Sequence, residues 1–336
     1  MTTLEATTLD AYLAGGRGPD AADVAALLRA LARAGVTIAD ELARAALIGQ
    51  LGTTGGTNVQ GEKVKKLDLW ANDVVVPALG ATGRACTLVS EEMEEIRHDR
   101  GQCASAGFIV CFDPVDGSSN LDVNGIVGTI FSILRKRGSG PDHARADVLQ
   151  PGTAQVAAGY IMYGPSTLLV FTTGDGVHGF TLDRARGTYV RTHANVRIPA
   201  HGRAYSLNDG NWSRWPEGVR RFVEHLRETD VATGRPYTAR SAGSLVTDVH
   251  RTLLEGGIYL YPEDAAAGGK PSGKLRLMYE AAPMAWLIEQ AGGRASTGRE
   301  RVLDLVPTSP HQRVPLVIGS TDDVRLAEDF YAERRL

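Results

Sequence analysis

The feature that most constrains this chain is a pair of aspartates placed directly after an apolar run. The run Phe108–Phe112 predicts a buried strand, and Asp113 and Asp116 follow it. In sheets flanked by helices, ligands bind at the carboxyl ends of the strands. Carboxylates gathered there need a compensating cation, because two unit charges about 4 Å apart repel by roughly 4 kcal/mol at an effective dielectric constant of 20. Carboxylate oxygens favour Mg²⁺ or Mn²⁺ over zinc, so the pattern predicts a divalent-cation site.

The residues after the second aspartate predict a phosphate site. Gly117 is followed by Ser118 and Ser119. A glycine followed by two hydroxyl residues presents free backbone N–H groups at a helix start, where phosphate binds. Metal ligands and a phosphate cradle that are so close in the chain indicate a compact phosphoryl-transfer site.

A second acidic pair follows another apolar run. Cys86–Val89 predicts a buried strand, which leads through Ser90 into Glu91 and Glu92. Taken alone, such a pair is more typical of an exposed acidic turn. Beside the first motif it becomes a candidate part of the same metal site.

Composition excludes several classes of function. The chain has 336 residues, which suffices for two domains, and a formal net charge of -3, so no basic field is available for nucleic acid or an anionic membrane. No apolar run reaches the length of a membrane span, and the N-terminal residues lack a signal-peptide pattern. Three cysteines without a C-x-x-C pair predict no structural disulfide and a reducing compartment. We therefore expect a cytoplasmic protein.

The remaining patterns predict two domains of mixed helix and strand. Two helices are expected between Asp20 and Leu51, capped at the start by Asp20 and separated at Gly35. Short strands with glycine-containing turns between them then indicate an antiparallel meander rather than a plain doubly wound sheet. The sequence turns polar near residues 190–203, which divides the chain into domains at 1–195 and 196–336. Helices expected elsewhere begin near Lys66, Glu217, Leu245, Leu277 and Thr321.

Four stretches extend the acidic motif into a pattern specific to one family. They are Gly56 to Asp68, Leu88 to Glu92, Phe112 to Asn120, and Gly256 to Pro262 together with Gly273 to Glu280. On these residues the chain resembles class I fructose-1,6-bisphosphatase, from about residue 50 to the C terminus. The acidic motif is shared with the related inositol monophosphatases, whereas the segments 118–122 and 273–277 are typical of the bisphosphatases. The resemblance implies an α/β (α+β) fold, a layered α-β-α-β-α sandwich with mixed and antiparallel sheets.

The resemblance also implies a role for each site residue. Two or more Mg²⁺ ions per subunit, or Mn²⁺, would be held by Glu91, Asp113, Asp116, Glu280 and the carbonyl of Val115. The attacking water would be oriented and deprotonated by Glu62, Asp68 and Glu92. The 1-phosphate would rest on Gly117, Ser118 and Ser119 near Arg276, with Asp116 also touching the sugar. The sugar and its 6-phosphate would be bound by Asn208, Tyr261 and Lys274. Arg240 matches an arginine that reaches a neighbouring subunit, which implies a homo-oligomer, expected to be a tetramer.

The activity that follows is hydrolysis of the 1-phosphate of D-fructose 1,6-bisphosphate, and several alternatives stay open. Asn211 and Ser241 stand where tyrosines of the eukaryotic enzymes bind the 6-phosphate, so the site is also compatible with sedoheptulose 1,7-bisphosphate. A metal-dependent sugar-phosphate sensor without turnover is the alternative of another class. Tyr261 ends an apolar strand and is also compatible with a core position, although Lys274 and Arg276 beside it favour the ligand role; Arg276 is also compatible with a simple ion pair to Glu280. The gluconeogenic and carbon-fixation (Calvin cycle) roles use the same reaction.

The first domain also carries a degenerate nucleotide-effector region. The family's phosphate-binding loop corresponds to Arg17–Asp20, its lysine-tyrosine pair corresponds to Gly107 and Phe108, and only Arg135 remains. We therefore expect weak or absent inhibition by AMP.

Overall fold

The computed structural model describes residues 7–57, 63–99, 101, 106–138, 144–265 and 273–333. Its larger sheet has eight strands in the order β10-β9-β8-β7-β6-β5-β3-β4. The strands β3 and β5 are parallel and the other neighbours are antiparallel. The strands are β3 (Ala85–Ser90), β4 (Arg97–His98), β5 (Phe108–Asp116), β6 (Val127–Arg135), β7 (Gln155–Tyr163), β8 (Thr167–Thr172), β9 (Val177–Asp183) and β10 (Thr188–Val196). This mixed sheet contains the meander expected from the sequence.

A smaller sheet of five strands lies in the second half of the chain, in the order β12-β11-β13-β17-β15. Its strands are β11 (Ala204–Ser206), β12 (Thr238–Ala239), β13 (Ile258–Tyr261), β15 (Arg294–Ser296) and β17 (Leu316–Gly319). Two short ribbons complete the strands: β1 (Thr53–Thr57) with β2 (Lys63–Lys65), and β14 (Leu275–Arg276) with β16 (Arg313–Val314).

Helices form three layers around the two sheets. The helices are α1 (Leu9–Ala14), α2 (Ala21–Leu42), α3 (Lys66–Gly80), α4 (Ala144–Val148), α5 (Glu217–Arg227), α6 (Leu245–Glu255), α7 (Ala282–Gln290) and α8 (Thr321–Tyr331). One core packs α1 to α3 on the large sheet, and a second packs α6 and α7 between the two sheets. A third packs α5 and α8 on the outer face of the small sheet. The predicted layered sandwich is therefore confirmed.

The strand β13 shows how alternation builds these layers. Side chains of a strand point to opposite faces in turn. Ile258 and Leu260 pack into the core under α5 and α8, whereas Tyr259 packs into the core between the two sheets with Tyr261 against it. The alternative that Tyr261 belongs to a core is therefore partly right, although the same side chain also reaches the candidate site.

The first long helix corrects one sequence expectation. Residues Ala21–Leu42 form a single helix, α2, that runs through Gly35 without a break. A Cβ atom at Gly35 would lie 2.6 Å from Cδ1 of Ile161 in β7. The glycine therefore allows the helix to approach the sheet closely, and its weak helical propensity, a cost of about 1 kcal/mol against alanine, is outweighed by packing. Asp20 also makes no capping hydrogen bond with its side chain, and it pairs with Arg135 instead.

The polar stretch near the predicted domain boundary lies at one edge of the large sheet. Thr188–Val196 forms β10, which pairs with β9 and is joined to Thr8 by an isolated bridge, and edge strands are typically polar because one side faces water. Cys86 is disulfide-bonded, so the prediction of no structural disulfide is wrong. Cys111 is a free, buried thiol.

No helix in the described part of the chain is long and apolar enough to cross a membrane.

Candidate active site

Three acidic side chains meet at one edge of the large sheet. Because β3 and β5 run parallel, their carboxyl ends lie side by side, as the sequence analysis expected. Asp113, Asp116 and Glu280 are all buried, and each offers a carboxylate oxygen within 4.8 Å of the others. Glu280 comes from a turn of π-helix, Leu277–Ala281, that leads into α7. Such turns of π-helix occur frequently at functional sites.

Burial and mutual repulsion perturb the proton affinity of this cluster. Burial, followed by the charges of Glu91 and Asp116, raises the pKa of Asp113 well above its ordinary value. Burial and the charge of Glu91 also raise the pKa of Glu280 well above its ordinary value, although the charge of Arg276 opposes this rise. A bound divalent cation would reverse these shifts, because it stabilises the ionised carboxylates. The donor set is entirely oxygen, so it fits the hard cations Mg²⁺ and Mn²⁺.

The N-terminus of helix α6 holds Asp116 in place. The hydroxyl of Ser244 donates to Oδ2 of Asp116 at 2.7 Å, and the backbone N–H groups of Leu245 and Val246 donate to its two oxygens at 3.2 and 2.8 Å. Burial raises the pKa of Asp116 to about 6, and these hydrogen bonds oppose the rise. The sequence analysis missed Ser244. Its position directly before the predicted helix at Leu245 is the N-cap signal that could have found it.

Gly117 is required by the same contact. Its φ is +76°, and a Cβ atom there would lie 2.5 Å from Cβ of Ser244. Any other residue would clash with the helix start and adopt a left-handed conformation that favours glycine. The short 3₁₀ helix Ser118–Val123 begins immediately afterwards. The predicted phosphate loop therefore turns sharply between the metal ligands and the open cavity.

Asp68 lies in the first turn of α3, beside this cluster. Its Oδ2 accepts a hydrogen bond from the backbone N–H of Lys65 at 3.0 Å. Its Oδ1 is buried without a hydrogen-bond partner among the described residues. Burial raises the pKa of Asp68 to about 7, although the Lys65 N–H opposes the shift. A carboxyl group with this pKa is suited to accept a proton near neutral pH. Glu62, predicted to act with Asp68, lies outside the described residues.

One cavity of about 730 Å³ brings most of the predicted residues together. It is lined by Asp68, Glu91, Glu92, Asp113, Val115, Asp116, Gly117, Ser118, Ser119, Asn208, Tyr261, Arg276 and Glu280. Its volume lies within the usual range for small-molecule sites. The acidic pair after β3 is therefore part of the site rather than an isolated surface turn.

Arg276 connects the acidic residues within this cavity. Its side chain is buried, and its Nη2 lies 2.7 Å from Oε1 of Glu91. Its Nη1 lies 3.9 Å from Oε2 of Glu280. The simple pair with Glu280 was one expected alternative, but the closer ion pair is with Glu91.

Two predicted sugar-binding residues lie apart from the cavity lining. Lys274 forms an ion pair with Asp264, a buried carboxylate, at 3.2 Å. Arg240 is exposed, and its guanidinium donates to the carbonyl of Ala239 at 3.3 Å. Ser241 lines the cavity. The amide of Asn211 accepts a hydrogen bond from Arg214.

The predicted effector region contains an internal ion pair. Asp20 contacts the guanidinium of Arg135, the residue of the family's effector pocket that this sequence retains. An anion at this position would compete with the aspartate for the same guanidinium.

A buried carboxylate cluster beside a glycine-serine turn defines a site for metal-assisted phosphoryl chemistry. Family models bear this out: the N-terminal domain of fructose-1-6-bisphosphatase matches residues 15–194, and the C-terminal domain of the same family matches residues 198–332. The chain therefore belongs to the fructose-1,6-bisphosphatase family.

Individual relatives agree with this assignment. The fructose-1,6-bisphosphatase class 1 of Chlorobium chlorochromatii is 51% identical over 310 residues, covering 92% of each chain. That of Synechocystis sp. is 47% identical over 319 residues, covering 95% of this chain and 90% of the relative. The crystal structure of Leishmania major fructose-1,6-bisphosphatase in holo form superposes with a TM-score of 0.90 at 37% identity, covering 97% of this chain and 99% of that one.

Proposed function

We propose that this protein hydrolyses D-fructose 1,6-bisphosphate to fructose 6-phosphate and inorganic phosphate. The observation that carries the proposal is the single cavity that holds buried metal-type carboxylates, a carboxyl group with a pKa near 7 and the Gly117–Ser119 turn. Membership of the fructose-1,6-bisphosphatase family identifies the substrate class.

The metal would be held by Glu91, Asp113, Asp116 and Glu280 with the carbonyl of Val115. We propose magnesium or manganese, two or more ions per subunit. When bound, such ions lower the pKa of a bound water and stabilise charge on the leaving oxygen. The protein's own contribution is to hold the carboxylates fixed, and Asp116 is the clearest case because the start of α6 binds both of its oxygens.

Proton removal from the water falls to Asp68 and Glu92, with Glu62 as a further candidate from the sequence. The attacking oxygen forms a bond to phosphorus while the bond from phosphorus to the sugar oxygen breaks, and the water proton passes to a carboxylate. Asp68 can accept this proton because its pKa of about 7 leaves it substantially ionised at neutral pH while keeping it basic.

Substrate binding divides between the two halves of the chain. The 1-phosphate would rest on Gly117, Ser118 and Ser119 near Arg276. The sugar would be contacted by Asp116, Asn208 and Tyr261. Lys274 would bind the 6-phosphate while it remains paired with Asp264. Arg240 is exposed and does not line the cavity of its own chain, which supports the proposal that it serves a neighbouring subunit in a homotetramer. We place the enzyme in cytoplasmic carbohydrate metabolism.

Activity on sedoheptulose 1,7-bisphosphate is the second candidate. Ser241 supplies only a small side chain to the cavity wall, and the amide of Asn211 is engaged by Arg214. The small side chain of Ser241 favours space for a longer sugar in this part of the cavity, and Asn211, which does not line the cavity, adds no bulk to its wall. This broader activity would suit a carbon-fixation role, whereas strict fructose specificity would suit gluconeogenesis.

Phosphate release from a panel of substrates tests these assignments. The panel contains fructose 1,6-bisphosphate, sedoheptulose 1,7-bisphosphate and inositol monophosphate, each with Mg²⁺, with Mn²⁺ and with EDTA. We expect turnover of fructose 1,6-bisphosphate that EDTA abolishes. A preference for the six-carbon substrate above about 10⁴ in kcat/KM would exclude the seven-carbon candidate. Binding of fructose 1,6-bisphosphate without any turnover would contradict the proposed enzymatic activity and favour a sugar-phosphate sensor.

A further inference from the structure

A histidine outside the cavity joins two segments that carry predicted metal ligands. Nδ1 of His311 lies 2.8 Å from the hydroxyl of Tyr279, and Nε2 lies 3.3 Å from the carbonyl oxygen of Glu94. Tyr279 directly precedes Glu280, and Glu94 lies in the turn that follows Glu91. The imidazole is therefore a cross-link between the two sides of the acidic cluster.

Both ends of this cross-link are fixed by the surrounding structure. Tyr279 is fully buried, and its ring meets that of His311 edge-on with centroids 5.9 Å apart. The loop that carries His311 is tied to the same segment, because the N–H of Leu277 donates to the carbonyl of Gln312 at 2.7 Å. Short strands on either side, β14 and β16, pair with each other.

The other end of the cross-link reaches the acidic turn after β3. In that turn the N–H of Met93 donates to the carbonyl of Ser90, and the N–H of Glu91 donates to the carbonyl of Phe112, both at 3.2 Å. The contact with His311 adds a third restraint, from a different part of the chain.

The protonation state of His311 matches these two contacts. Burial lowers the pKa of His311, and the positive charge of Arg276 adds to this, whereas the backbone at Glu94 and Met93 opposes it; the net lowering leaves the ring neutral at neutral pH. A neutral imidazole has one donor and one acceptor. The Tyr279 hydroxyl donates to Nδ1, and Nε2–H donates to the Glu94 carbonyl; this tautomer is assigned from the partners.

We propose that His311 is a positioning residue that fixes the Glu91–Glu92 turn relative to Glu280 and thereby sets the affinity for the divalent cation. The inference rests on the proposed function, since it takes these carboxylates to be metal ligands. Arg276 joins the same two segments, but it does so through the carboxylates themselves. The His311 link uses a phenol and a backbone carbonyl, so it leaves the ligand oxygens available to the metal. Removing outer partners of metal ligands typically costs 10–100-fold in affinity or activity.

The chain contains a matched control for this pair. Tyr160 is also fully buried, and its hydroxyl lies 2.7 Å from Nδ1 of His250, with ring centroids again 5.9 Å apart in an edge-on arrangement. This pair joins β7 to α6, and its hydrogen bond involves no residue of the turn after β3 or of the π-helical turn. A change from tyrosine to phenylalanine removes the same hydrogen bond in both places.

The test compares Mn²⁺ binding, measured by electron paramagnetic resonance without substrate, in wild type, Tyr279→Phe, His311→Ala, His311→Gln and Tyr160→Phe. We expect the dissociation constant to rise about tenfold in Tyr279→Phe and His311→Ala and to stay within about twofold of wild type in Tyr160→Phe. His311→Gln, which retains an acceptor and a donor, should recover part of the loss. Folding is checked by circular dichroism and thermal melting of each variant.

The kinetic counterpart is a rise in the Mg²⁺ concentration for half activation with little change in KM for fructose 1,6-bisphosphate. If Tyr279→Phe and Tyr160→Phe destabilise the fold alike and bind Mn²⁺ as wild type does, His311 is only structural and the inference is wrong. If wild type itself binds no Mn²⁺ and shows no metal-dependent turnover, the proposed function is wrong. The inference about His311 is then wrong as well, because it assumes that these carboxylates bind a metal.

Discussion

At the scale of single residues, the site depends on side chains whose immediate neighbours come from distant parts of the sequence. Asp116 is a ligand candidate from its local motif, but Ser244 and the N–H groups that follow it decide how its carboxylate is oriented. A hydrogen bond to a charged group contributes about 1.5–3 kcal/mol, more than an ordinary one. The orientation of this ligand therefore depends on a residue that no local motif contains.

Glu92 is the residue whose replacement best separates chemistry from binding. Glu92→Gln keeps the shape of the side chain but removes its capacity to accept the water proton. We expect kcat to fall by about 10²–10⁴-fold, with the dissociation constant for fructose 1,6-bisphosphate changed less than about threefold in calorimetric titration. Glu95→Gln, a nearby exposed glutamate, is the matched control and should be fully active. Wild-type turnover in Glu92→Gln would show that this carboxylate is not a proton acceptor.

At the scale of elements, the packing of α2 against the large sheet explains why this helix contains a glycine and continues through it. A glycine in the middle of a helical pattern is a reasonable signal for a break. Here it marks the point of closest approach between the helix and β7, since the missing Cβ leaves room for Ile161. Sequence periodicity therefore identified the apolar face of the helix but wrongly predicted a break at Gly35. The contact that explains the glycine is made by Ile161, more than 120 positions away in the chain.

Substitution at Gly35 tests this contact. Gly35→Leu should destabilise the protein by about 1–3 kcal/mol, because overpacking a filled interface forces side chains and backbone to move. Gly80→Leu is the control, since a Cβ at Gly80, the last residue of α3, meets no atom within 4 Å. Urea unfolding of both variants measures the difference. Equal stability of the two variants would contradict a tight helix–sheet contact at Gly35.

At the scale of the whole molecule, the two halves of the chain meet around a charge cluster that folding alone does not favour. Asp113 and Asp116 come from the first half and Glu280 from the second, and all three are buried. Burial raises the pKa of each carboxyl group. The fold accepts this cost because the rest of the sandwich is held by three large apolar cores.

The pH dependence of stability follows from these shifts. A pKa of about 7 for Asp68 and about 6 for Asp116, against 3.8 for an ordinary aspartate, means that the native state binds more protons than the unfolded state. Their stabilising contribution is complete below about pH 4 and is lost as pH rises through 6 and 7. In EDTA we therefore expect the free energy of unfolding to fall by at least about 2 kcal/mol between pH 5.5 and 8, since each pKa unit corresponds to about 1.4 kcal/mol.

Urea unfolding at several pH values measures this slope. Added Mg²⁺ should raise stability most at pH 8, because the cation binds the ionised carboxylates. Asp68→Asn should flatten the slope between pH 6 and 8 in EDTA. If the free energy of unfolding is constant or rises across this pH range in EDTA, the raised pKa values of Asp68 and Asp116 are wrong.

The sequence by itself determined the chemistry of the site and the order of most elements. The acidic residues directly after β3, those in the last part of β5 and the glycine-serine turn are each local in the chain, so their spacing alone indicated metal-assisted phosphoryl transfer. Tertiary structure decided the uninterrupted α2 and the roles of Ser244 and His311. Each of these depends on contacts between residues far apart in the chain, and the free energy of such contacts is absent from any local pattern.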